Sequence, residues 1–286
     1  MAEVHVAKIV EHFGPRRLDS IQPSDIKSWV VKLQGAGFAD SYVYALHGRM
    51  SQVLADAVHD GVLARSPASR RTSPRAGTQR PYVATTEQMW ALHDALDERY
   101  RAGLLLAALA GLRLAEVCGL RIADVDFMRG VVSPVVQYPA QRLKTSMSMT
   151  AIPIPADLAL VLSAHVARYS TDWIMANERG AQMGPWQLQR AFRAARDAVP
   201  GLPAGFRFHD LRHYYASLLI SSGLDVKVVQ TRLRHTSGKT TIDTYGHLWP
   251  DSDDSTRAAI NSVMTARREN PADSLRTEGQ VKKRLP

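Results

Sequence analysis

Through the first 64 residues, apolar side chains recur every three or four positions, the spacing that lines one face of an α-helix. The pattern predicts short amphipathic helices over residues 4–13 and 25–34. In the second, Pro23-Ser24-Asp25 supplies turn and N-cap chemistry ahead of Ile26, Trp29, Val30 and Leu33. A longer helix follows, carried by Tyr42, Leu46, Met50, Val53, Leu54, Ala57 and Val58 and closed by Asp60-Gly61. Residues 1–64 are therefore expected to form a small helical domain.

The periodicity then stops. Residues 65–84 are expected to be a basic linker: RSPASRRTSPRAGTQRP holds Arg65, Arg70, Arg71, Arg75 and Arg80, three prolines and no acid. Two readings stand side by side, a solvated strap or a set of phosphate contacts.

From Thr85 the pattern predicts a second, larger domain over residues 85–270. It opens on a capping signature at Thr86 ahead of Met89, Trp90, Leu92 and Leu96. The run from Leu104 to Leu120 predicts one strongly apolar helix deep in the core. Short strands are expected at 125–127, 131–136 and 151–154, the last two joined by the polar stretch QRLKTSMSM. Helices resume at 156–168, 185–198, 209–222 and 225–233, and the polar residues 271–286 are expected to lack fixed structure. The fold class is mainly α (α+β), two domains with a small antiparallel sheet in the second.

Composition narrows the partners. A chain of 286 residues with 45% hydrophobic side chains can bury a real core. A net charge of +9 and a pI near 9.8 favour a polyanion, nucleic acid before an acidic membrane surface. No run of eighteen apolar residues occurs, and Glu3, His5, Lys8 and Glu11 interrupt the start, so neither export nor a membrane span is expected. The single Cys118 lies in an apolar run, which suits a buried small hydrophobe in a reducing compartment.

Several residues could carry chemistry. Arg113 sits among apolar neighbours in LAALAGLRLAEVCGL, where Glu116 one turn on would neutralise it in a purely structural role. Lys144, in the connection between two strands, is either a surface lysine or a mobile ammonium able to protonate a departing oxygen. His209 and Arg212, three apart at the start of a helix after a Gly201-Pro203-Gly205 loop, could converge on one anion. His209 and His213 also have the i, i+4 spacing of a zinc-hydrolase helix, but Asp210 replaces the glutamate such a helix needs and no third ligand has the expected spacing. His235 follows the helix that starts near Asp225. Tyr245 follows the polar stretch 236–240, where it could swing; Tyr214 and Tyr215, in YYASLLI, look like core residues. A phenol becomes a nucleophile when cations stabilise its anion or a base takes its proton.

Taken in order, Arg113 (AGLRLAEV), Lys144 (RLKTS), His209 and Arg212 (HDLRH), His235 (RLRHTS) and Tyr245 (TIDTYGH) resemble the tyrosine recombinase, or phage-type integrase, family. The likeness spans about residues 85–250, and EHFGPRRLDSIQPSDIKSWV with ADAVHDGVLARSPA resembles the family's core-type DNA-binding domain. The resemblance implies a reaction without cofactor, metal or ATP. Tyr245 would form a 3′-phosphotyrosyl bond, Arg113 and Arg212 would grip the phosphate, and Lys144 would protonate the leaving 5′-oxygen. His209 would help move the nucleophile's proton and His235 would hydrogen-bond the phosphate.

The implied setting is four protomers on double-stranded DNA core sites, exchanging strands through a Holliday junction, with a DNA-bending accessory protein as a further partner and no membrane. An element-borne or phage integrase acting in the cytoplasm and nucleoid of a bacterial host fits this. After Tyr245, Ala258, Ala259, Ile260 and Val263 offer an apolar helix for a neighbouring protomer. The sequence departs from the family pattern at Arg234, where glycine usually stands, and in the ten-position step from His235 to Tyr245, one more than is commonest. It also shows no match to the arm-binding domain of many integrases, so a simpler recombinase acting on short core sites is expected. Two other readings are a DNA-binding regulator that keeps the fold without turnover, and a chelator-sensitive zinc hydrolase built on HDLRH.

Overall fold

The computed structural model describes residues 2–77, 81–169, 172–249, 257–258 and 260–265. The chain divides into two compact units, residues 1–80 and 81–286.

In the first unit, α1 (Ala2–Phe13) and α2 (Pro23–Gly35) both pack on α3 (Asp40–His59). Ile9, Phe13, Ile26, Trp29, Val43, Leu46, Met50 and Leu54 form the core, the apolar stripes that the spacing predicted. Helix α2 begins two residues earlier than its expected cap. Pro23 occupies the first turn, where a missing N–H costs nothing, and Asp25 reaches back to accept the Gln22 N–H at 2.8 Å. Gly61, at φ +73°, turns the chain after α3.

The expected linker is in part a packed strap. Leu63 and Ala68 join the core, and the buried Thr72 hydroxyl meets His47 Nε2 at 2.8 Å, so the segment folds with the first unit. Arg65, Arg70, Arg71 and Arg75 are exposed on it, while Arg80 lies outside the described residues.

The second unit opens with α4 (Thr86–Ala95), capped by Thr85 rather than Thr86 in a box with Gln88. The predicted long helix from Leu104 is broken in two, α5 (Glu98–Ala110) and α6 (Leu114–Gly119). Gly111 breaks it: at φ +64° it ends α5 in the left-handed region, and a side chain there would meet the Tyr215 ring at 2.4 Å. Leu104 to Ala108 are all buried, so α5 is the central post of this unit, and α9 (Asp210–Ser221) is among the helices packed on it.

The strands are shorter and more numerous than expected. β1 (Val125–Asp126), β2 (Val131–Val132) and β5 (Ile152–Pro153) form an antiparallel sheet in the order β1-β2-β5, with Val125 opposite Val132 and Val132 opposite Ile152. Between them β3 (Val136–Gln137) and β4 (Gln141–Arg142) pair as a separate hairpin, so part of the predicted polar connection is strand. Helices α7 (Ala156–Tyr169) and α8 (Pro185–Asp197) then cover the core.

After α9 come α10 (Val226–Arg232) and α11 (Gly238–Tyr245). The stretch expected as a polar loop before Tyr245 is helix α11, because Ser237 caps it by accepting the Lys239 N–H at 3.2 Å. Tyr215, Ala216, Ile220, Val229, Leu233 and Tyr245 make a small core shared by α9, α10 and α11. Residues 257–258 and 260–265 are helical, with Ile260 and Val263 exposed; Ala259 and the predicted tail lie outside the described residues. No helix among the described residues is long and apolar enough to cross a membrane.

Candidate active site

The break after α5 puts Arg113 at the N-cap of α6. Its backbone N–H and its guanidinium both reach Glu116, at 2.8 and 2.9 Å. The neutralising partner expected from the sequence is therefore present, but Glu116 is shared. Its other neighbour is Arg234, whose Nη2 lies 2.6 Å from Oε2. Burial opposes the charge on Glu116, and Arg234 and Arg113 together outweigh it, holding the carboxylate below its ordinary pKa. Two arginines on one carboxylate leave a net positive charge.

Arg212, 2% exposed, projects from the first turn of α9 and donates to the carbonyls of Gly111 and Leu233. Those carbonyls sit just ahead of Arg113 and of Arg234-His235, so one guanidinium stitches together segments far apart in sequence. Burial and the charges of Arg113 and Arg234 lower its pKa to about 9, which still leaves it cationic at neutral pH. A guanidinium has five N–H donors, and these carbonyls take two.

His209 stands at the N-cap position of α9 without a side-chain capping bond and is exposed, yet partial desolvation and then the Arg212 charge push its pKa down. His235 Nδ1 pairs with Thr241 Oγ1 at 2.9 Å, and its ring lies parallel to that of Tyr245 with centroids 6.4 Å apart. Burial, followed by Arg212 and Arg113, lowers the His235 pKa to about 4. It is a neutral ring at physiological pH.

Tyr245, 2% exposed, is the last residue of helix α11 rather than a residue on a polar loop. Its ring belongs to the small core and its hydroxyl meets His213 Nδ1 at 2.7 Å. Burial raises its pKa to about 12, although Arg212 pulls the other way. The resting phenol is thus protonated.

Arg113, His209, Arg212, His235 and Tyr245 therefore gather in one cluster, tied by these bonds and by mutual electrostatic influence. Lys144 is exposed on the segment after β4, and among the described residues its ammonium meets none of them. Its segment is nevertheless anchored to the cluster, since Ser148 accepts a bond from Arg234 Nη1 at 3.0 Å.

Two further residues belong to the cluster, Arg234 and His213. Arg234 registered only as a departure from a pattern, but it sits at φ +53° with 1% exposure and bridges Glu116 to the Lys144 segment. His213 registered as half of a metal pair and instead contacts the phenol. No local signal marked either: RLRH is flanked by the polar Gln230, Thr231, Thr236 and Ser237, and the phenol partner of His213 is remote in sequence.

A mostly helical fold with a small antiparallel sheet, and a tyrosine ringed by arginines and histidines, defines the tyrosine recombinase class of enzyme. The chain belongs to the phage integrase family, whose sequence profile matches residues 83–251. It is 30% identical over 242 residues to the tyrosine recombinase XerC of Mycobacterium tuberculosis, covering 78% of each chain. A shorter stretch of 45 residues is 53% identical to the ICEBs1 integrase of Bacillus subtilis, 16% of this chain and 12% of that protein. The Tn1549 transposon integrase, solved in complex with transposon right end DNA, shares the fold at a TM-score of 0.76 and 17% identity, over 92% of both chains.

Proposed function

We propose that the chain is a site-specific DNA recombinase of the integrase type, which cleaves and rejoins DNA through a covalent bond to Tyr245. The phenol oxygen attacks the scissile phosphorus as the bond from phosphorus to the 5′-oxygen breaks, leaving a 3′-phosphotyrosyl ester and a 5′-hydroxyl. Arg113 and Arg212 hold the non-bridging oxygens and offset the charge that grows on them. His209 and His235 line the same phosphate, His235 as a neutral hydrogen-bonding ring. Lys144, carried on its segment into the site, protonates the leaving oxygen. One phosphate ester replaces another, so rejoining to a second 5′-hydroxyl needs no ATP.

The observation that supports this most is the pair of carbonyl bonds from Arg212. It draws the segments bearing Arg113 and His235 around a tyrosine that is otherwise a core residue. A surplus of guanidinium charge over carboxylate there suits a phosphate diester and would be a standing cost without one.

The partners that follow are double-stranded core sites, bound by a tetramer that exchanges strands through a Holliday junction with a DNA-bending protein assisting. Nucleoid DNA of a bacterial host is the setting. The first unit acts as the core-type DNA-binding domain, with Arg65, Arg70, Arg71, Arg75 and Arg80 meeting backbone phosphates.

The test is a DNA duplex nicked beside the cleavage position, so that the short 5′-hydroxyl fragment diffuses away. The wild-type protein should accumulate a covalent complex, and Tyr245→Phe should form none while binding the duplex equally well. A covalent complex with Tyr245→Phe would refute the assignment.

A further inference from the structure

The phenol of Tyr245 must lose its proton as it attacks, and the imidazole in contact with that proton is not His209. The Tyr245 hydroxyl meets Nδ1 of His213 at 2.7 Å, whereas His209 stands at the open start of α9, its ring set edge to face against His213 with centroids 5.3 Å apart. We propose that His213 is a catalytic residue of this enzyme, the acceptor of the Tyr245 phenolic proton. The inference rests on Tyr245 being the nucleophile.

The direction of the hydrogen bond follows the tautomer of the ring, and the neighbouring carboxylate favours one tautomer. The other ring nitrogen, Nε2, lies 3.7 Å from Asp210 Oδ1, too long for a hydrogen bond but close enough for the carboxylate to favour the proton there. Asp210 is itself held, since its Oδ2 accepts the Arg207 N–H at 2.7 Å. With the proton on Nε2, the lone pair on Nδ1 faces the phenol and accepts its hydrogen. Carboxylate, imidazole and hydroxyl thus stand in the order of an acid-base-nucleophile triad, with phenol in place of an alcohol and the carboxylate acting through its charge rather than a hydrogen bond.

The charged and titratable groups facing His213 are Asp210 and Arg212 on its own helix, His209 at the N-cap, Arg207 just before it, Tyr245 from α11 and His235 ahead of α11. Burial first, and the His209 neighbour next, lower its pKa to about 4, so without DNA the ring is neutral and ready to accept. A DNA phosphate docked on Arg212 adds an anion beside it and favours the imidazolium, which makes the ring a stronger base when substrate is bound. The balance closes. The proton passes from the phenol to Nδ1, the new bond forms from phenol oxygen to phosphorus, the old bond to the 5′-oxygen breaks, and that oxygen takes a proton from Lys144. Rejoining returns the His213 proton to the phenol.

The experiment measures single-turnover cleavage of the nicked duplex against pH for wild type, His213→Gln and His213→Ala, with DNA binding and melting temperature taken in parallel. Gln can still accept a hydrogen bond from the phenol but cannot take its proton. Both variants should cleave about 100- to 1,000-fold more slowly at neutral pH, the loss typical of removing a general base. Their rates should keep climbing with pH as hydroxide takes over, and added imidazole should rescue His213→Ala. If His213→Gln cleaves within a few-fold of wild type with an unchanged pH profile, His213 only positions the ring and the proposal is overturned. His213→Gln decides the matter even where His213→Ala loses stability. A covalent complex with Tyr245→Phe sinks the underlying reading instead, so the two failures are distinct.

Discussion

Arg234 shows how much one side chain can commit. Its backbone sits in the left-handed region at φ +53°, which costs a non-glycine residue roughly 1–2 kcal/mol, and its guanidinium is buried against Glu116. Removing one member of a buried ion pair typically costs about 3–5 kcal/mol. Arg234→Ala should therefore destabilise strongly, and Arg234→Gly should be more stable than Arg234→Ala by about 1 kcal/mol, since glycine relieves the backbone. Denaturant melts of the two variants check this, and an alanine variant at least as stable as the glycine one would show that the strain is unimportant. Lys144→Ala should slow cleavage about 100-fold or more on ordinary DNA. On a duplex with sulfur at the leaving 5′ position it should recover to near the wild-type rate, because a thiolate leaves without a proton. No recovery would remove Lys144 from the acid role. Arg113 and its Glu116 partner were legible from a three-residue spacing. The Arg234 bond to Glu116 and the His213 contact with Tyr245 were not, because the partners lie 118 and 32 residues apart and meet only through packing.

At the scale of elements, what periodicity could not show was where an apolar run breaks. Leu104 to Leu120 is hydrophobic throughout, and the left-handed Gly111 converts one helix into two and turns Arg113 into a helix cap. Gly111→Ala should be unusually costly, combining left-handed strain with overpacking against Tyr215, together about 2–4 kcal/mol. Thermal melts should show a large drop in Tm, with cleavage falling too because the Gly111 carbonyl anchors Arg212. A variant as stable as wild type would contradict this account of the break. The helix that carries Tyr245 is hidden in the sequence for a related reason. Thr and Ser near Gly238 look like loop chemistry, but Ser237 caps a helix and Ile242 and Thr241 continue it. The first-unit helices, by contrast, were legible because each buries one clean stripe.

For the whole molecule, stability should depend on pH through buried neutral histidines. His213 and His235 titrate near 4 in the folded chain and near 6.5 when unfolded, so the unfolded chain binds more protons between those values. Their contribution is full above about pH 6.5 and is lost as pH falls toward 4, amounting to about 2 kcal/mol each between pH 7 and pH 5. His213→Gln should shrink that fall by its own share; an unchanged fall would mean the ring is not held neutral. A division into two units was legible in the interruption of the apolar periodicity, and the basic charge in composition. The boundary was not, because an arginine-rich, proline-rich strap reads as linker even where Leu63, Ala68 and Thr72 pack it down.

Mass spectrometry of the trapped complex tests most directly whether the buried phenol of Tyr245 is the group that takes DNA. Trypsin should release residues 240–257, which contain Tyr245, carrying a nucleotide esterified through its 3′-phosphate. A modification on any other residue, or attachment through a 5′-phosphate, would contradict the account.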